Sequence, residues 1–237
     1  MSKLYFFRHG QASFGAANYD KLSPKGEIQS LELGKYLVQK RVEFDRIYVG
    51  PLERQIHTCE LVKSVYNKDN LPFPEPILMN ELKEHHGFRA TRTGLPKMIS
   101  TSPFLQKLQV EMDKNPQLKK RNSLLMFEYF MNEWVEGKVV VDGFEPWIDF
   151  RQNVDRGLQT ILENTQKSEK VAAFTSGGTI SAIAANALQI TNQKRVAAMN
   201  FSIRNTSFTT FLYTRQQFNL LSVNEIPHLS DDLVTFV

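Results

Sequence analysis

Near its start the chain reads Leu4-Tyr5-Phe6-Phe7-Arg8-His9-Gly10-Gln11. Four apolar residues, three of them aromatic, run without a break and stop at a cation, an imidazole and a glycine. Such a run fits a strand buried on both faces. In open α/β sheets ligands bind beyond the carboxyl ends of the strands. The strand end therefore puts Arg8 and His9 where chemistry is done. A permanent cation beside an imidazole suits an anion: the cation holds it, and the ring nitrogen can attack it. Gly10 lets the backbone come close to a ligand. A solvated histidine at a strand end explains the tripeptide equally well when it is read alone.

Two further turns repeat the pattern. Phe44 to Val49 reads as a second strand, broken by Gly50-Pro51, and Arg54 falls in the first turn of the helix that follows. There the helix N-terminus would help it grip phosphate; the plainer alternative is a surface arginine paired with a glutamate. Val171-Ala172-Ala173-Phe174 reads as a third strand, followed by Thr175-Ser176-Gly177-Gly178-Thr179 at the head of an alanine-rich helix. Backbone N–H groups at such a helix start form an anion site. The alternative is a glycine turn that only connects two elements.

The segments between them read as helices. Ser23-Pro24 is an N-cap followed by proline at the first helical position, and the spacing predicts a helix over Pro24 to Gln39. Further helices are expected over Leu52 to Tyr66, Gln117 to Glu136, Glu145 to Lys167 and Thr179 to Leu188. Ser207 to Tyr213 and Phe218 to Val223 form a strand pair. Asn67 to Pro76 is a loop. Strands alternating with helices predict an α/β fold with a mostly parallel central sheet flanked by helices on both faces. From Glu81 to about Gly143 the pattern changes to short segments between turn signals (Gly94, Pro96, Pro103 and Pro116), which reads as a helical insertion or lid on one domain spanning residues 1–237.

Composition narrows the function classes. The chain has 237 residues, 41% hydrophobic and 23% charged, the usage of an ordinary globular protein. A net charge of +4 suits a small anionic substrate and falls short of a nucleic-acid signature. The single cysteine, Cys59, allows neither an internal disulfide nor a cysteine metal cluster, and a reducing compartment is the expectation. No stretch is long and apolar enough to span a bilayer, and the first residues do not read as a secretory or lipidation signal. The expected location is the cytoplasm.

Proton transfer to a leaving oxygen needs an acid. Glu84 and Glu81, in Asn80-Glu81-Leu82-Lys83-Glu84-His85-His86-Gly87, are the candidates. The adjacent histidines raise a metal reading, but no carboxylate spacing completes a ligand set, so no metal is expected.

Arg8-His9-Gly10, Leu22-Ser23-Pro24-Lys25-Gly26, Gln29, Ile47 to Arg54, Thr58, Glu60, Glu145, Val171 to Ile180, Asn205-Thr206-Ser207 and Asn224 to Leu229 together resemble the histidine phosphatase superfamily, the phosphoglycerate mutase-like fold. The resemblance spans the chain except for about residues 88–143. It implies phosphomonoester hydrolysis through a phosphohistidine, with His9 as nucleophile. Arg8 and Arg54 would bind the phosphoryl group and Glu84 would donate the proton. Gln11, Ser176 and Gly177 would join them in binding a small phosphorylated substrate, with no cofactor. Phe88-Arg89-Ala90-Thr91-Arg92 stands where mutases of this fold carry a Gly-x-x-x-Gly-type segment, which favours hydrolysis over mutase chemistry.

One departure stands out. The family usually has a second histidine where this chain has Ser176. A neutral hydroxyl gives roughly half the hydrogen-bond strength of an imidazolium, and one lost transition-state donor costs about 10²–10³ in rate. Either Ser176, with the N–H groups of Gly177 and Gly178, completes an altered phosphatase site, or the chain binds phosphorylated ligands with little turnover. His57 and His85 are the histidines that stand as substitutes. A serine-hydrolase role for Ser176 lacks the glycine two residues earlier, where Phe174 stands. Leu124 to Val135 is apolar nearly all round; it reads as a lid helix buried on the core, or alternatively as a homodimer or partner contact.

Overall fold

A computed structural model describes residues 1–13 and 20–236. Its centre is a six-stranded sheet in the order β3-β2-β4-β1-β5-β6. The strands are β1 (Ser2–Arg8), β2 (Arg46–Val49), β3 (Ile77–Leu78), β4 (Lys170–Thr175), β5 (Phe208–Thr214) and β6 (Gln217–Glu225). The first four are parallel. The last two form an antiparallel hairpin on the β1 side. The α/β expectation, with a mostly parallel sheet, is met.

Side-chain alternation explains why β1 has no polar face. Tyr5 and Phe7 point to one side with Ile47, Val49, Ala172 and Phe174, beneath α1 (Pro24–Gln39) and α2 (Glu53–Lys68). Leu4 and Phe6 point to the other with Tyr48, Val171 and Ala173. That side is covered by α5 (Lys119–Val135), α6 (Trp147–Asn164) and α7 (Gly177–Ala187). A strand buried on both faces reads as a continuous apolar run. Phe7 stacks on Phe174 with ring centroids 4.9 Å apart.

α1 starts as expected: Ser23 caps it by accepting from the Gly26 N–H at 3.1 Å, with Pro24 next. Gly10 and Gly26 are glycines for a steric reason. A Cβ on Gly10 would stand 2.4 Å from the Gly26 carbonyl oxygen, and one on Gly26 would stand 2.1 Å from that of Gln11. The turn after β1 is thus pressed onto the first turn of α1.

The expected insertion holds more helix than its sequence suggests. Three helices fill it: α3 (Gly87–Thr101), α4 (Pro103–Lys114) and α5. Two of the supposed breakers are absorbed. Pro96 lies inside α3, and Pro103 takes the first position of α4 behind the cap Ser102. α8 (Gln193–Asn200), capped by Asn192, and the two-residue β3 were likewise not expected. α5 buries Met126, Phe130, Met131, Trp134 and Val135 and leaves Leu124 exposed. Among the described residues no helix is long and apolar enough to cross a membrane.

Candidate functional site

The ends of β1, β2 and β4 lie side by side, and the three turns read from the sequence converge there. Arg8 is in register with Thr175, the His9 N–H donates to the Thr175 carbonyl at 2.9 Å, and the Gly50 N–H donates to the Phe174 carbonyl at 3.0 Å. Parallel pairing of strands far apart in the chain is what collects these residues.

His9 is 4% exposed and held from both ring nitrogens. Its Nδ1 lies 2.7 Å from the Gly10 carbonyl oxygen. A carbonyl only accepts, so Nδ1 carries the proton. The opposite nitrogen, Nε2, is then a lone pair, and it accepts from Arg54 Nε at 2.9 Å. Burial pushes the His9 pKa well below its ordinary 6.5, and the charges of Arg54 and Arg8 push the same way, against the bond to Gly10. The ring is therefore neutral at pH 7, with its unprotonated nitrogen turned to a guanidinium.

The supports of His9 are residues quoted for the family resemblance without a role, and one, Asp20, that sequence reading passed over. Its carbonyl oxygen accepts from Asn205 Nδ2 at 3.2 Å and from the Thr206 N–H at 3.3 Å. Thr206 has φ of 53°, a left-handed conformation unusual for a β-branched residue. Backbone strain of this kind collects at functional sites. Thr58 accepts from the Gly10 N–H at 3.0 Å and returns its own proton to the Arg54 carbonyl. Asp20 takes Arg54 Nη1 at 2.5 Å and the Glu53 N–H at 2.9 Å. It thereby orients the arginine and caps the start of α2. No motif flagged Asp20, because its partners lie more than thirty residues away.

The other expected residues lie as follows. The Arg8 guanidinium donates to the Ile203 carbonyl and lies against Gly177, where a Cβ would sit 3.5 Å from Nε. The Gln11 side-chain oxygen accepts from Ser23 at 3.0 Å, and its N–H donates to Gln29. Ser176 is fully buried, and its hydroxyl accepts from Gln55 Nε2 at 2.8 Å. Gln55 also donates to the Leu82 carbonyl, which fastens the acid-bearing loop to the turn after β4.

The two acid candidates separate. Glu84 reaches the head of α7: its Oε2 accepts from the Gly178 N–H at 3.0 Å and its Oε1 from the His85 N–H at 2.9 Å. Glu81 packs on α6, 2.6 Å from where a Cβ on Gly157 would stand. The Gly178 bond is a correction. That N–H was expected to be part of an anion cradle, and it is given to Glu84 instead.

The adjacent histidines face different surroundings. His85 is boxed by Trp134, Trp147 and Phe150, with ring centroids 5.9, 5.2 and 5.3 Å away. The Gly87 N–H donates to its Nδ1 at 3.0 Å. Its Nε2 lies 3.4 Å from Glu84 Oε1 and 3.1 Å from Asn200 Nδ2. Burial lowers its pKa, Glu84 opposes the shift and Arg54 adds to it. His86 instead lies edge-on to Phe144. Among the described residues no cluster of three or more His, Cys, Asp or Glu is arranged to hold a metal ion.

A neutral imidazole, two arginines, a helix N-terminus and a carboxyl group meet at this sheet edge, a set whose chemistry suits a phosphoryl group. Residues 4–93 and 114–226 match the profile of the histidine phosphatase superfamily, branch 1. The chain is 32% identical over 93 residues to 2,3-bisphosphoglycerate-dependent phosphoglycerate mutase of Streptococcus thermophilus, 37% of this chain and 40% of that protein. It thus spans less than half the length of this curated relative. Its fold is similar to Bacillus stearothermophilus YhfR, with a TM-score of 0.66 at 19% identity over 96% of this chain and 99% of that one. It is also similar to phosphoglycerate mutase from Bacillus anthracis, with a TM-score of 0.65 at 19% identity over 96% and 94%.

Proposed function

Since the chain belongs to the histidine phosphatase superfamily, we propose that it hydrolyses small phosphomonoesters in two steps through a phosphohistidine on His9. The observation that carries this reading is the state of His9. Its proton is parked on Nδ1 by Gly10, its Nε2 is unprotonated, and Arg54 sits against that nitrogen. An entering phosphoryl group takes the place between them.

In the first step Nε2 attacks phosphorus. The P–N bond forms, the P–O bond to the alcohol breaks, and Glu84 gives its proton to the departing oxygen. In the second step water attacks phosphorus, the P–N bond breaks, and the water proton passes to the Glu84 carboxylate. Inorganic phosphate leaves and His9 returns to its neutral form. Arg8 and Arg54 neutralise the phosphoryl oxygens as charge develops. Gly177 N–H adds the dipole of α7. Ser176 keeps its own hydroxyl proton to donate, because Gln55 donates to it. Gln11, its side-chain oxygen held by Ser23, is the remaining donor to the substrate. Neither step calls for a metal or an organic cofactor.

The test is hydrolysis of p-nitrophenyl phosphate and a panel of phosphorylated metabolites, with His9→Ala as control, and mass measurement of the acid-quenched enzyme for a single added phosphoryl group. Activity lost in His9→Ala, with the adduct on His9, supports the proposal. A second reading, a phospho-ligand-binding protein with little turnover, is favoured by the neutral Ser176 and by the Gly178 N–H already given to Glu84. Phosphate binding with hydrolysis no higher than the control would establish it.

A further inference from the structure

Two of the polar neighbours of the buried His85, Gly87 and Asn200, are each followed in the chain by a half-exposed phenylalanine. Phe88 is 52% and Phe201 is 50% exposed. They come from different elements, the first turn of α3 and the C-terminal end of α8. The partly buried Phe127 of α5 bridges them, with ring centroids 6.5 Å from Phe88 and 5.7 Å from Phe201.

The chain ties this cluster to the phosphate centre through neighbours of Phe201 and of Phe88. Asn200 Oδ1 lies 2.3 Å from where a Cβ on Gly177 would stand, and two residues beyond Phe201 the Ile203 carbonyl accepts from Arg8. On the other side, Phe88 lies four residues beyond Glu84. Large apolar side chains exposed together, beside a polar centre, are the informative kind of surface. Small-molecule sites combine such apolar walls with a few placed polar groups.

We propose that Phe88, Phe127 and Phe201 form the leaving-group subsite of this phosphate centre, and that the preferred substrates are phosphomonoesters of aromatic or branched apolar alcohols. The inference rests on the phosphate site described under the proposed function and adds the class of alcohol. The rings contact the part of the substrate that departs, so they discriminate among alcohols while Arg8 and Arg54 hold the phosphoryl group common to all of them.

Two measurements test it. The first is calorimetric binding of 3-phenylpropylphosphonate and 2,3-dihydroxypropylphosphonate, which carry the same charge and cannot be hydrolysed. The second is kcat/KM for the corresponding 3-phenylpropyl phosphate and glycerol 3-phosphate, both esters of alkyl alcohols. We expect the phenylpropyl compound to be favoured about tenfold or more in each, the scale of a small apolar contact. Phe201→Ser and Phe88→Ser should each erode that preference, whereas Leu221→Ser, exposed on the edge strand β6, should keep it. Equal binding of the two phosphonates, or a preference that survives both serine variants, would overturn the subsite and leave the phosphatase reading intact. Selective binding of the phenylpropyl phosphonate with no turnover of either ester would keep the subsite and overturn the phosphatase reading. Binding of neither phosphonate would overturn both.

Discussion

At the scale of single residues the site is a set of assigned protons. Gly10 fixes the His9 proton on Nδ1, and burial with two arginines keeps the ring from taking a second. A nucleophile whose pKa lies well below 6.5 stays active as pH falls through that value. The pH profile of kcat/KM should therefore show no loss attributable to His9 between pH 7.5 and 6.5. Arg54→Gln removes one of the charges that hold the pKa down, so the acid limb should move up toward 6.5. It also removes a phosphoryl donor, so kcat/KM should drop about 10²–10³-fold; an unmoved limb would show that Arg54 does not set the protonation of His9. Ser176 is a different case. It is fully buried, and its hydroxyl satisfies Gln55. Ser176→Ala leaves that amide one partner short, and chemical denaturation should find the variant about 1–3 kcal/mol less stable.

Single elements place these groups. Ser23 performs two tasks at one helix end: it caps α1 through the Gly26 N–H and holds the Gln11 side chain. Ser23→Ala should cost about 1 kcal/mol of stability from the cap. It should also raise KM for a phosphate ester while changing kcat less, since Gln11 loses its anchor; a purely structural role would lower stability and leave KM alone. The head of α7 is likewise shared. Its Gly178 N–H orients Glu84, while Gly177 abuts Arg8 and Asn200. One helix start thus serves the acid and the anion.

Across the whole molecule, the segment after β6 ties the site to the chain's far end. Gln29 holds the Gln11 N–H and also donates to the Leu233 carbonyl and Thr235 Oγ1, and the Asn205 N–H donates to the Thr235 carbonyl. His228 docks this segment on Thr206 and against the rings of Tyr36 and Phe208. Burial lowers the His228 pKa to about 4. Between the ordinary 6.5 and about 4 the unfolded chain binds a proton there that the folded chain refuses, so stability falls as pH falls through that window. The midpoint of thermal unfolding should drop between pH 7 and 4. His228→Gln should lessen that slope, leaving the part due to His9 and His85, which burial shifts the same way. In the insertion, Phe130 is fully buried in the main core; Phe130→Ala should lose about 3–5 kcal/mol by denaturant unfolding.

The sheet and its main helices were legible because each is written locally. A strand buried on both faces must be apolar throughout, as Leu4 to Phe7 is. A capped helix shows its cap, as Ser23-Pro24 does. The positions of Arg8, His9 and Arg54 were legible because each stands at the end of such a strand or in the turn after it, whereas the residues alone left Glu84 and Glu81 open as the acid. α3 and α4 were not, because Pro96 and Pro103 signal breaks when read locally, and packing of the insertion overrides one while the cap Ser102 uses the other. Asp20, Gln55 and Asn200 were hidden for a related reason: each acts through a partner tens of residues away. Sequence by itself determined the family and the turns at which Arg8, His9, Arg54 and Ser176 stand, since residue types and turn positions are local properties. Tertiary structure alone decided which nitrogen of His9 keeps its proton, which N–H Glu84 occupies and what surrounds His85, because burial and long-range hydrogen bonds exist only once the chain has closed on itself.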